Sequence, residues 1–493
     1  MDPMESAPIH ALAPTLITAD MEKLSPHDKG GIQLLELPTS SVSPSITRED
    51  DGEDAPAEDE GRKEHGAQRA LKAPAAYEDT FPDGGQGWVV VCGCALFCAA
   101  TVGWGCVWGV TEEFFKSTMF PGTPDSVLTT LGSLPPLIMT LGSIVAGKLA
   151  DRYGYKPFLA AGAVIWVASM VASAFCTEVW QFFITMVGLR LRLFSSYGMG
   201  VMQGIADALI FPLIVALPTQ WFLRHRALAI GIVVSGSSVG GAVASIVYRL
   251  LISSLGLRKA LAIFTGIHTA MFAAGYFMMT ERRPAHKRPA IVWFDRAFFS
   301  DPVFWSLALC FFFTVFGYFG PIFLLPTFTA QVAPHLPELL TALPLTVLNI
   351  SAALGRILVG FAADRLGPVN ALFVAITASG LTQLLVWMFI SSYGGTMAFA
   401  VLYGFFCGCF LSLISAVAAK VYGVAQLAGL SGLLLLFNAP GNAAGAPIGG
   451  ALLGATGNNW QVVAAYSGAV QVLGALCLLY ARFKREPRLI AAY

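Results

Sequence analysis

Charge is what this sequence has least of. Charged residues are 12% of its 493 residues against a hydrophobic share of 56%, where a soluble domain carries about a quarter. With a mean hydropathy of +0.67, that shortage excludes a water-soluble globule and implies an integral membrane protein. Catalytic signals are missing too: no nucleophile–base pair, metal cluster or nucleotide loop is visible, so neither enzyme chemistry nor a cofactor is expected. The zero net charge speaks for no nucleic-acid partner. The amino terminus lacks the basic start and apolar run of a signal peptide. The nine cysteines (92, 94, 98, 106, 176, 310, 407, 409 and 477) fall in or beside apolar segments without ligand histidines at metal-site spacing, and are read as small packing residues. The pairs Cys92/Cys94 and Cys407/Cys409 would project about 200° apart on a helix, which argues against joint ligation.

The neutrality hides a split. Residues 1–85 hold 18 Asp/Glu and 7 Lys/Arg, and residues 86–493 hold 12 and 23. A tail with so little apolar surface is expected to be disordered and cytoplasmic. Beyond it lie twelve apolar runs long enough to cross a bilayer: 87–111, 127–150, 156–177, 195–219, 227–252, 258–280, 303–329, 337–362, 368–391, 396–419, 427–453 and 460–481. The expected fold is an all-α membrane protein of twelve transmembrane helices in two six-helix pseudo-repeats, with bundles at 86–280 and 303–481, a cytoplasmic linker at 281–302 and a cytoplasmic tail at 482–493. With a cytoplasmic amino terminus, sixteen Lys/Arg fall in inside segments and three outside, so both termini are expected in the cytoplasm. The plasma membrane is favoured over a vacuolar or other internal one.

One charged phrase is written twice. "GKLADRYG", with Gly147, Asp151, Arg152 and Gly154, returns 213 residues later as "GFAADRLG", with Gly360, Asp364, Arg365 and Gly367. Each copy ends the second helix of its half. Glycine permits close backbone approach, while Asp and Arg can bond helix ends, so the pair is read as a latch on the cytoplasmic face.

At these residues the chain resembles the major facilitator superfamily. Two further motifs resemble the monocarboxylate transporter family, particularly its fungal members. "PDGGQGWVVV" opens helix one with Asp83, Gly84, Gly85 and Trp88, Gln86 standing where that family has an aromatic residue. "WFLRHRALAIGIVVSGSSVGG" opens helix five with Arg224, Arg226, Gly231 and Gly236, His225 standing where a third basic residue is usual. The resemblance implies the major facilitator fold, alternating access around a site between the halves, and a substrate-linked arginine matching Arg356. The family's aspartate one turn earlier is replaced by Ala352, and Gly109 stands at its helix-one lysine.

Charges inside the runs are few, and such charges face a cavity or a partner. Arg356 lies eight residues before Asp364, about 12 Å from the inner end; a guanidinium there can hold a carboxylate bidentately, or pair with backbone carbonyls. Asp207 on helix four can titrate with the cavity and couple a proton, or serve a neighbouring helix's polar group. Asn349, Asn438 and Asn442 offer neutral hydrogen bonds or act as helix glue. Trp104 and Trp108 suit a substrate ring or packing. Glycines 231, 236, 240 and 241, and 441, 445, 449 and 450, mark close packing and places of bending. The stretch from Trp180 to Gln220 is too long for one crossing, so an insertion is expected near Val187 to Met199, with an extracellular extension as the alternative.

The leading reading is a secondary active or facilitative transporter of a small organic solute, a monocarboxylate or other organic anion, working in the lipid bilayer with a co-transported proton as in a symporter. Riboflavin or another ring-bearing solute is the alternative substrate. A nutrient sensor signalling through the acidic tail is the alternative of another class. Oligomeric state is left open.

Overall fold

The computed structural model describes residues 83–119, 125–176, 200–282, 296–423 and 427–486. The tail, the residues around Val187 to Met199 and most of the linker lie outside them. Among the described residues the secondary structure is wholly helical. Twelve helices are long and apolar enough to cross a membrane: α1 Gln86–Thr111, α2 Leu131–Tyr153, α3 Tyr155–Ser173, α4 Val201–Gln220, α5 Arg226–Leu255, α6 Leu257–Met278, α7 Pro302–Val332, α8 Leu343–Leu366, α9 Pro368–Phe389, α10 Tyr393–Tyr422, α11 Leu427–Ala455 and α12 Trp460–Lys484. Long helices satisfy every interior backbone group, which hydrocarbon demands. Their outward faces are apolar: Phe277 is 82% exposed and Val164 68%, a waste in water and a gain in lipid.

Side chains mark where helices begin. Asp301 accepts from Val303 N at 2.9 Å ahead of α7, and Asn459 accepts from Gln461 N at 3.0 Å ahead of α12, satisfying amides that have no intrahelical partner. Gly154 and Gly367, which close the repeated phrase, have φ of +98° and +90° and start α3 and α9. The same turn is thus built twice, in a region of backbone space glycine enters without strain.

Helix pairings repeat with an offset of six. In the first half α1 packs on α5 and α6, α2 on α4, and α3 on α4 and α6; in the second α7 packs on α11 and α12, α8 on α10, and α9 on α10 and α12. The seams between halves obey the same exchange, α2 packing on α11 and α5 on α8. Three of the interrupted helices, α1 at Thr101 and again near Cys106, α10 at Gly408 and α11 at Phe437–Asn438, break beside the cavity described next, whereas α9 breaks at Val386 away from it.

Candidate functional site

A cavity of about 900 Å³ lies between the halves. Trp104, Trp108, Asp207, Asn349, Arg356, Asn438 and Asn442 all line it, so the seven residues singled out from sequence share one space. Most of the remaining wall is apolar or aromatic, with Trp166, Tyr318, Phe319, Phe323 and Phe410 among its residues. Gly109, at the position of the family's lysine, also lines it.

Arg356 is the cation of this space, only 4% exposed. Its Nη1 donates to Val234 O at 3.0 Å and to the hydroxyls of Ser237 and Ser238 at 2.7 Å each, and its Nε donates to Gly408 O at 3.3 Å. All four acceptors are neutral, and three belong to α5 of the opposite half. The guanidinium lies against Gly408, where a Cβ would stand 2.4 Å from Nη2. Gly231 lets α5 approach, since a Cβ there would meet Arg356 O at 2.3 Å. Sequence reading missed Ser237, Ser238 and Gly408; the paired serines within "VVSGSSVGG" were the available signal.

Asp207 sits on α4, 6% exposed, and its Oδ1 has no hydrogen-bond partner. A buried carboxyl in that state must be relieved by a proton, a water or a ligand donor. Asn438 Oδ1 is unpartnered as well. The other two asparagines serve helices: Asn442 donates to Pro136 O at 3.1 Å, tying α11 to α2, and Asn349 donates to Leu345 O at 3.1 Å within α8. Trp104 is held edge-on by Tyr248 and His268. Trp166 donates through Nε1 to His268 Nδ1 at 3.2 Å, which fixes that wall of the cavity.

The repeated phrases meet the opposite half away from the cavity. Asp364 accepts from Ala227 N at 2.8 Å and from Leu228 N at 2.9 Å, capping α5, while Asp151 accepts from Gly429 N at 2.8 Å, near the start of α11. The hydroxyl of Tyr155 donates to the other oxygen of Asp151 at 3.0 Å. A Cβ on Gly147 would lie 2.4 Å from Ala428 O, and one on Gly360 2.6 Å from Ala227 O. Both seams are therefore closed at the phrase-bearing end, and the lining residues, such as 131–140 of α2 and 345–356 of α8, sit toward the other end. Arg152 and Arg365 lie over the rings of Tyr153 and Phe361, on the surface.

The motifs that open α1 and α5 dock on each other. Asp83 Oδ1 accepts from Leu223 N at 2.7 Å and Arg224 N at 2.9 Å, and Trp88 packs on Phe222 with ring centroids 4.7 Å apart. Gly84 and Gly85 shape the bend ahead of α1, Gly85 at φ +59°. Arg226 Nε donates to Phe222 O at 2.7 Å. Gly236 brings α5 onto α1, where a Cβ would meet Ala95 O at 2.5 Å. Glu281, unnoticed in the sequence, accepts from Tyr155 N at 3.0 Å and so joins the end of α6 to the start of α3.

Comparison with known proteins places the chain. The profile of the Major Facilitator Superfamily matches residues 94–381 and 335–491. Similar proteins include the MFS-type transporter pynF of Aspergillus niger, 27% identical over 85% of this chain and 96% of that one, and the fujikurins efflux protein of Gibberella fujikuroi, 28% identical over 86% and 89%. The aspyridones efflux protein apdF of Emericella nidulans is 30% identical over 84% and 81%. Among solved structures, the human organic anion transporter MFSD10 has a TM-score of 0.61 at 17% identity, covering 80% of this chain and 98% of that one. A bacterial ferroportin homologue in an outward-facing state scores 0.58 at 16% identity, over 81% and 99%. With its twelve helices, its repeated pairing pattern and a family match that spans most of its length, the chain belongs to the Major Facilitator Superfamily of transporters.

Proposed function

We propose that this transporter exports a ring-bearing, largely apolar organic acid, held in the cavity by Arg356. The observation that carries the reading is the lining: one buried guanidinium with neutral partners only, set among aromatic side chains. Given about 30 Å³ for a water-sized group, 900 Å³ has room for about thirty non-hydrogen atoms. A three-carbon acid would leave most of it unfilled and most aromatic surface without contact. In place of the monocarboxylate expectation, the reading takes a carboxylate or enolate on a polycyclic or aryl body. Two of the relatives, named as efflux proteins for fujikurins and for aspyridones, support export of an organic solute.

In this reading the phrase-bearing end is cytoplasmic, both termini lie there, and the structure is the state closed on that side. Asp151 and Asp364 then act as gate caps, and the two bundles rock about the cavity. Asp207, unpartnered on one oxygen, is the group that carries a coupled proton. The test is cellular. Cells expressing the chain should accumulate less labelled 1-hydroxy-2-naphthoate than cells without it, with lactate unchanged. Equal naphthoate levels together with altered lactate would return the small-acid reading.

A further inference from the structure

The partners of Arg356 come from both halves of the molecule. Ser237 and Ser238 belong to α5, whereas Arg356 belongs to α8, and their 2.7 Å bonds exist because α5 is drawn against α8. The same seam carries the Asp364 cap and the close approaches at Gly231 and Gly360. A rocking motion that parts α5 from α8 at this end removes Val234 O and both hydroxyls from the guanidinium while leaving Gly408 O on α10 and the Tyr318 side chain on α7, both of its own half. Arg356 is then short of acceptors on one side, in the state whose cavity faces the phrase-bearing end. A desolvated guanidinium without acceptors binds an anion strongly, and one whose acceptors are supplied binds it weakly.

We propose that Ser237 and Ser238 are internal competitors for the anion site: on closure of the phrase-bearing end they take over the guanidinium and displace the solute toward the opposite side. This rests on the reading of Arg356 as the solute's anchor. It assigns the two serines a positioning role, and it gives the carrier an affinity that is high on the entry side and low on the exit side, the asymmetry an exporter needs for fast release. The equilibrium set by the coupled proton is untouched, because competition alters rates and half-saturation values only. Two hydroxyls within hydrogen-bond distance of one Nη1 make an arrangement that packing alone does not require, as alanines would fill the same backbone positions.

The experiment has two arms on the full-length protein. In the first, fluorophores on Leu223 and Leu366, exposed at the ends of the seam, report its width without any solute. Ser237→Ala/Ser238→Ala should widen the distance distribution, and Ser238→Thr, which keeps a hydroxyl, should leave it as in the wild type. An unchanged distribution in the double alanine variant overturns the proposal. In the second, proteoliposomes measure 1-hydroxy-2-naphthoate from each side. The double variant should lower the half-saturation value on the exit side roughly 10-fold to 100-fold, for the loss of competing bonds to a charged group, and lower the export turnover with it. Equal losses of affinity on both sides, or no change in the exit-side value, would also overturn it. The anchor reading fails separately, if naphthoate binds Arg356→Gln as tightly as wild type or binds no variant; the seam distances then still decide whether the serines hold the closed state.

Discussion

Removing the Asp364 carboxylate should open the phrase-bearing end by an amount that the structure allows to be worked out. Two amides of the first turn of α5, those of Ala227 and Leu228, lose their acceptors in Asp364→Ala. Loss of such a cap costs about 0.5 to 2 kcal/mol, and loss of a negative charge at a helix amino terminus costs about 0.3 to 1 kcal/mol more. The cap comes from the opposite half, so the cost falls on the closed state and not on the helix alone. A change of roughly 1 to 3 kcal/mol shifts the closed-to-open ratio by about 5-fold to 150-fold. Asp364→Asn keeps one acceptor oxygen but no charge, and should fall between. Hydrogen–deuterium exchange of the peptide from Phe222 to Ile230 reads the effect through the Ala227 and Leu228 amides, whose acceptor lies across the seam. In Asp151→Ala the faster exchange should move to residues 427–433, where Gly429 loses its acceptor. If exchange at 222–230 were unchanged in Asp364→Ala, the cap would not hold the gate and the latch account would be wrong.

Gly147→Val should abolish transport at normal membrane yield, because its Cβ would meet Ala428 O at 2.4 Å, whereas Gly266→Ala, with nothing within 4 Å, should transport as the wild type; activity in the valine variant would contradict the close-approach argument. Asp207→Asn should remove the response of solute flux to an imposed pH gradient, and a response of wild-type size would show that the proton is carried elsewhere. Tags on the two termini should report the same compartment, as an even number of crossings requires, and opposite compartments would defeat the twelve-helix topology.

The repeat was legible in the sequence because it is written in residue types that each half needs locally. Gly154 and Gly367 are required by a left-handed turn, and the apolar runs by the bilayer, so both stand out without knowledge of neighbours. The intramembrane charges were legible for a related reason: hydrocarbon makes Arg356 and Asp207 costly enough to be conspicuous. What fills the space around them was not. Arg356 meets Ser237 and Ser238 from 119 and 118 residues away, and serines in an apolar helix carry no mark that separates a cross-helix acceptor from one that only bonds back to its own helix. The fourth helix, read from 195, is described from Val201, since the anomalous stretch before it lies outside the described residues. Glu281 was hidden because its partner is a backbone amide, which any sequence supplies. The interruptions of α1 at Thr101 and Cys106 break no residue-type rule, and they remove the simple one-turn relation between Trp104 and Trp108 that the sequence suggests.

The anion anchor is tested most directly by binding of one aromatic acid and its neutral counterpart to Arg356 variants in proteoliposomes. Arg356→Lys keeps the charge and loses the planar fork, so 1-hydroxy-2-naphthoate should bind roughly 10-fold to 150-fold more weakly, the worth of a charge-assisted bond of about 1.5 to 3 kcal/mol. Arg356→Gln should bind it more weakly still, while 1-naphthol, which lacks the carboxylate, should bind all three proteins within about 2-fold. Wild-type affinity of Arg356→Gln for the naphthoate, or an equal loss for naphthol, would contradict the account.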